Sequence, residues 1–195
     1  MKFLPGLLAA GLFIGWLQPE AVGSTHRLTK DEEKLFKIIK NNGLQKRKVM
    51  KLDPILCKVA RARAQDMGKR KYFAHVNPSG QGPNFLVTKA GYRLPSFYDS
   101  VRSANNIESI AARSPTGKPR DALKQWLNSP PHRSHTMALT TFSQEQVRIG
   151  VGIAQFKNAP FATYYVFISA PPNENPKPPK VKLVNAKGRV ISRTR

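Results

Sequence analysis

Residues 162–170, Ala-Thr-Tyr-Tyr-Val-Phe-Ile-Ser-Ala, leave no face for water. With a period of two, Tyr164, Val166 and Ile168 fall on one side and Tyr165 and Phe167 on the other. A strand apolar on both faces belongs inside a sheet that is covered on both sides. The preceding run is built differently. Val147, Ile149, Val151 and Ile153 alternate with Arg148, Gly150, Gly152 and Ala154, so one face is apolar and the other nearly bare. A bare face suits the close approach of another backbone. The loop 155–160 joins the two runs, which predicts an antiparallel pair.

The material to cover such a sheet lies upstream. Thr29 and Glu32 have the spacing of a capping box, and Leu35, Phe36, Ile38 and Ile39 follow as a helical stripe ended by Gly43. Asp53-Pro54 is a helix start, an N-cap followed by proline at the first helical position. Leu56, Val59, Ala60, Ala64 and Met67 give that helix one buried face, with Lys58, Arg61, Arg63, Lys69 and Arg70 assigned to the opposite side. A short helix is expected over 83–90, closed by Gly91, with 92–103 as loop. A compact amphipathic helix is expected over 119–127, with Ala122, Leu123, Trp126 and Leu127 on one face and Pro130-Pro131 as its stop.

Polar residues stand at the edges of these elements. His75 follows the Asp53 helix in Tyr72-Phe-Ala-His75-Val-Asn-Pro-Ser-Gly80, where Asn77 to Gly80 predict a turn. A rigid scaffold often presents chemistry in such a loop, and a histidine there also serves simply to cap or pack a helix end. His132 follows the Trp126 helix, with His135 three residues on. Glu108 sits in the apolar run 105–111; glutamate is seldom buried alone, so it is either exposed or matched to a donor or a metal.

Composition bounds the setting. The 195 residues suit one domain with short appendages. Lys and Arg total 33 against 11 Asp and Glu, a net charge of +22. Such a chain adheres to polyanions, such as an anionic cell-wall polymer or anionic lipid, or else carries a solvated basic surface. No motif that reads RNA or DNA is present, so no specific nucleic-acid partner is expected. Met1–Gly23 reads as a secretory signal: Lys2, an apolar run over 3–17, then Ala21-Val22-Gly23 as the cleavage site. The apolar run is short for a membrane span, so secretion or a periplasmic location is expected, with no span left after cleavage. The single cysteine, Cys57, excludes an internal disulfide and reads as a small buried hydrophobe. Five prolines in residues 171–179 mark a stiff boundary, and 180–195 reads as a weak hairpin or a basic tail. The expected organisation is a signal peptide over 1–23, one domain over 24–170 and a Pro-rich boundary with basic tail over 171–195.

The motifs Tyr72-Phe-Ala-His75-Val-Asn-Pro, Gly91-Tyr92, Glu108-Ser-Ile-Ala111, Trp126-Leu-Asn-Ser129-Pro-Pro-His132-Arg133 and Ile149-Gly-Val-Gly152 occur in this order. Together they resemble the SCP domain of the CAP superfamily, the cysteine-rich secretory, antigen 5 and pathogenesis-related 1 proteins, in its disulfide-free bacterial branch. The resemblance spans about residues 30–170 and implies an α+β fold: an α-β-α sandwich whose central, mostly antiparallel sheet is covered by helices on both faces. It implies a surface cleft in which His75, Glu108 and His132 converge and, as in some members, bind a divalent metal such as zinc. Ser129 stands where many eukaryotic members have a second glutamate, so three ligands are implied, with Ser129 at the cleft.

The resemblance implies a secreted binding module for an extracellular ligand, such as a cell-wall fragment, a lipid or a protein, because no single catalytic activity defines the family. A second reading is a hydrolase, using a metal-bound water or Ser129 activated by His132; no Gly-x-Ser-x-Gly elbow accompanies it. A third is a nonspecific polyanion binder driven by the +22 charge. No residue is assigned a catalytic role.

Overall fold

The computed structural model describes residues 27–173 together with 183–184 and 190–191. Helix α1 is Lys30–Lys40. The capping box forms as expected, with Glu32 N donating to Thr29 Oγ1 and Thr29 N to Glu32 Oε2. The helix ends at Asn41, before Gly43 is reached. Strand β1, Lys51–Leu52, leads into α2, Pro54–Lys69, where the Asp53 carboxylate accepts from Ile55 N and Leu56 N. Helix α3, Pro83–Lys89, precedes β2, Glu108–Arg113. Helices α4, Pro119–Asn128, α5, Pro130–Thr136, and α6, Thr141–Gln144, follow. Strands β3, Arg148–Gln155, and β4, Thr163–Ala170, complete the main sheet.

That sheet runs β1-β3-β4-β2. β4 is antiparallel to both β3 and β2, and only β1 runs parallel to its neighbour β3. Every residue of β4 is buried, as its two apolar faces require. Tyr164, Val166 and Ile168 pack into a core with Leu56, Ala60, Ala64 and Met67 of α2 and Val87 of α3. Tyr165 and Phe167 join the second core, with Leu35 and Ile39 of α1, Trp126 of α4, and Ile149 and Val151 of β3. The molecule is therefore the α-β-α sandwich the sequence predicts.

The bare face of β3 lies against α2. A Cβ added at Gly150 would stand 2.3 Å from the Leu56 carbonyl carbon, and one at Gly152 would stand 2.3 Å from that of Ala60. The two glycines let helix and strand approach more closely than any side chain permits.

Two local readings change. Pro130-Pro131 does not simply stop α4. Proline is accepted at a helix start, where its missing N–H has no intrahelical partner, so the pair opens α5 and His132 lies in that helix's first turn. Arg63, assigned to the solvent side of α2, is 2% exposed. Cys57 is buried, and burial raises its thiol above the usual range, in keeping with a packing role. The leader over 1–23 lies outside the described residues, as does most of the tail. Within the tail, β5, Leu183–Val184, pairs antiparallel with β6, Val190–Ile191, as a separate two-stranded sheet. No helix among the described residues is long and apolar enough to cross a membrane.

Candidate functional site

Glu108 opens β2, an outer strand of the sheet, and faces α2. Its side chain is fully buried, and both carboxylate oxygens are used. Arg63 Nε donates to Oε2 at 2.9 Å and Arg63 Nη2 to Oε1 at 3.2 Å. His75 Nδ1 donates to Oε1 at 2.9 Å. Burial alone would raise the Glu108 carboxyl; the His75 hydrogen bond and the Arg63 charge outweigh it and hold it below its ordinary value. The same glutamate raises the Arg63 guanidinium against its own burial.

Arg63 also shapes the loop that carries His75. Its Nη2 reaches the carbonyls of Ala74 and His75 at 2.8 and 2.9 Å, and its Nη1 donates to the Tyr72 hydroxyl. Tyr72 in turn donates to Asp66. The turn beyond is fixed by Asn77, whose Oδ1 accepts from Ser79 N and Gln81 N. The His75 side chain keeps 34% of its surface exposed, so its ring is open to a ligand while Glu108 is not.

His132 arrives from the other layer. Its ring centroid lies 6.2 Å from that of His75. Its Nδ1 is 2.8 Å from Ser129 Oγ, at the N-cap of α5. Burial, and then the charge of His75, push the His132 imidazole below its ordinary value, which favours the neutral form. The structure therefore brings all four expected residues into one cluster: Glu108 on His75, His75 facing His132, and His132 on Ser129.

Helix α5 is held by a second polar network that has no signal in the sequence. Arg47, 6% exposed, donates to the carbonyls of His135, Thr136 and Gln146 and to Ser169 Oγ, all at 2.8–2.9 Å. His135, left outside the expected site, shares 2.8 Å hydrogen bonds with Ser109 Oγ and Ser169 Oγ. Burial, with the nearby Arg47 charge, pushes His135 down to about 3, so it stays neutral. This network anchors the helix that presents His132.

The donor set bears on metal binding. No group of three or more His, Cys, Asp or Glu among the described residues has the arrangement of a metal cage. Glu108 is occupied by Arg63 and His75. Each imidazole of the pair uses Nδ1 for a side-chain contact, and neither Nε2 makes a hydrogen bond among the described residues. The two Nε2 atoms, one of them on a ring oriented by a carboxylate, are nitrogen donors of the kind that zinc takes. A cavity of about 430 Å³ between α2 and α3 reaches Arg63 from the far side but is lined by none of the four cluster residues.

Comparison with known proteins bears on the family and the fold. A family model described as the cysteine-rich secretory protein family, CAP, matches residues 34–169. The uncharacterized protein YkwD of Bacillus subtilis is 32% identical over 108 residues, which cover 55% of this chain and 36% of that relative. The matched stretch thus spans little more than a third of the relative's length. An outer surface protein of Borrelia burgdorferi superimposes with a TM-score of 0.52 at 20% identity, covering 75% of this chain and 97% of that one. An extracellular protein of Bacillus anthracis containing an SCP domain gives a TM-score of 0.53 at 18% identity, covering 75% and 45%.

Proposed function

This chain belongs to the cysteine-rich secretory protein family, CAP, and on that premise we propose that it is a secreted module that binds an extracytoplasmic ligand at the His75–His132 cleft. The ligand class is a cell-wall fragment, a lipid or a protein, and a divalent metal such as zinc forms part of the contact. The observation that carries this reading is the fixing of both rings from behind. His75 is tied by Nδ1 to Glu108 and His132 by Nδ1 to Ser129, so both Nε2 atoms remain to take a metal or a ligand atom. His75 and His132 would hold the metal, which would offer its open positions to the ligand. Glu108 keeps the proton on His75 Nδ1 and so makes Nε2 the donor to the metal. Secretion is supported by the leader-like sequence over 1–23 and by the surface and extracellular character of the two structural neighbours.

Calorimetric titration with Zn²⁺ tests the metal part of the reading. His75→Ala and His132→Ala should each remove most of the binding. Glu108→Gln, which keeps the shape but loses the charge, should weaken it roughly 10–100-fold. Equal binding by the parent and the His75→Ala/His132→Ala variant would overturn the metal site.

One contact favours a second reading. Ser129 Oγ lies 2.8 Å from the neutral-leaning His132, the arrangement of a serine–base pair in a hydrolase. The nearest carboxylate of the cluster, Glu108, orients His75 and not His132. Labelling of Ser129 by a fluorophosphonate probe, abolished in Ser129→Ala and His132→Ala, would establish this reading. Absence of labelling would leave the binding module.

A further inference from the structure

The segment Gln45-Lys-Arg-Lys-Val-Met-Lys51 carries four cations and no acid. It folds round a cavity of about 420 Å³ lined by Lys40, Asn41, Arg47, Lys48, Val49, Met50 and Lys51. No acidic side chain lines it. Arg47 and Met50 form the buried part, and the Arg47 charge differs in setting from those of Arg61 and Arg63. Arg61 pairs with Glu32, and Arg63 with Glu108. The guanidinium donors of Arg47 go to carbonyls, to Ser169 Oγ and to the Gln45 amide oxygen, and none goes to a carboxylate. Its donors are used and its guanidinium stands 5.5 Å over the Phe167 ring, yet no carboxylate pairs with it, and a buried cation without a counter-ion attracts one. Burial pulls Arg47 down to about 10, still well above neutral pH, so the charge is present under ordinary conditions.

The rim adds exposed donors. Lys40, Lys48 and Lys51 are exposed, and none forms a salt bridge among the described residues; the Lys40 ammonium stands 5.9 Å over the Phe36 ring, a weak contact that an anion can replace. Three ammonium groups and one amide can surround a tetrahedral anion. Lysine serves phosphate as a point charge, and a phosphoryl group offers several acceptor oxygens and up to two negative charges. Only Val49 and Met50 are apolar in this lining, so an acyl chain has little to pack on.

From this arrangement we infer that the 40–51 pocket is a binding site for a phosphoryl-class anion, separate from the His75–His132 cleft. Lys40, Lys48 and Lys51 donate to its oxygens, and Arg47 supplies charge from beneath. The separation follows from the topology. Lys51 lies on β1 and Glu108 on β2, the two outermost strands of the four-stranded sheet. Three inter-strand spacings put them about 14 Å apart.

The test uses the full chain at low ionic strength, with inorganic phosphate followed by calorimetry and phosphatidylglycerol vesicles followed by co-sedimentation. The variant is Lys40→Gln/Lys48→Gln/Lys51→Gln. A control, Lys58→Gln/Lys69→Gln/Lys89→Gln, removes the same charge from exposed positions of α2 and α3. Arg47 is left intact because it anchors α5. Saturable binding that falls at least tenfold in the pocket variant and less than threefold in the control supports the site. Phosphate binding without vesicle binding assigns it to a soluble phosphate, and binding in the vesicle arm to a lipid headgroup. Equal losses in both variants would mean diffuse attraction to a +22 surface and would overturn the site. So would no saturable binding in either arm, or a pocket variant that binds like the parent. His75→Ala/His132→Ala should retain phosphate binding whether or not the cleft takes metal.

Discussion

Arg63 Nε stands 2.9 Å from Glu108 Oε2, with the arginine side chain 2% exposed and the glutamate fully buried. This pair joins α2 to the outer strand β2 and sets the ring of His75 through Glu108 Oε1. Removing one partner of a buried pair leaves the other charge uncompensated, which costs about 3–5 kcal/mol. Arg63→Met should therefore lower unfolding stability by that amount in urea titration. Arg63→Met/Glu108→Met should recover part of the loss and still fail to bind at the His75 cleft. A single variant within about 1 kcal/mol of the parent would show that the pair does not hold β2 to α2.

Acid should destabilise the fold in two stages. His135 sits at about 3 in the folded chain against an ordinary 6.5, and His132 is lowered in the same direction. Below 6.5 the unfolded chain takes up protons that the folded chain refuses. Their contribution is whole above 6.5 and declines as pH falls toward 3. Glu108 is held below 4.5, so its contribution is whole above 4.5 and is lost as pH falls through the folded value. Both stages have the same sign. His135→Asn should flatten the melting-temperature profile between pH 6.5 and 4.5, and Glu108→Gln should flatten it below 4.5. Parallel profiles for parent and variants would refute the assignment.

Much of this architecture is legible in the sequence because period-two and period-3.6 patterns report burial directly. The alternation from Tyr164 to Ile168 demands layers on both faces, and the glycines of β3 demand a close backbone. Arg63 is legible too, once position is weighed above residue type. Leu56, Val59, Ala60, Arg63 and Met67 follow one stripe at 0, 3, 4, 7 and 11, so the arginine falls on the buried face despite its charge. The β1 pairing, two residues long, and the Arg47–Ser169–His135 network are not legible. They depend on partners up to 122 residues apart with no local pattern to announce them. The cluster is reached through motif order, because no helix spacing links His75, Glu108 and His132; only Ser129 and His132 stand three residues apart, at the start of α5.

Trp126 tests the second core. It is 1% exposed, its ring lies 6.2 Å from that of Phe167, and its Nε1 donates to the Ile110 carbonyl at 2.9 Å. Trp126→Ala should cost about 3–5 kcal/mol. Trp126→Phe keeps an aromatic ring and leaves the carbonyl unpaired, and should cost about 1–3 kcal/mol. A parent-like Trp126→Phe would mean that the hydrogen bond contributes nothing beyond packing, and equal losses for the two variants would mean that the packing contributes nothing beyond the hydrogen bond.

Gly152 makes the last prediction because its constraint comes from backbone alone. A Cβ there would meet the Ala60 carbonyl carbon and Arg61 N at 2.3 Å and the Ala60 carbonyl oxygen at 2.5 Å. None of these is a side-chain end that can rotate away, so α2 must lift from β3. Overpacking of this kind costs about 1–3 kcal/mol. Because α2 carries Arg63, the displacement reaches Glu108 and His75 as well. Gly152→Ala should therefore lower the melting temperature and also weaken any Zn²⁺ binding, although it touches no cluster residue. Ala60→Gly should not rescue it, since the clash is with main-chain atoms that glycine retains. A parent-like melting temperature for Gly152→Ala, or rescue by Ala60→Gly, would show that helix and strand do not approach as closely as described.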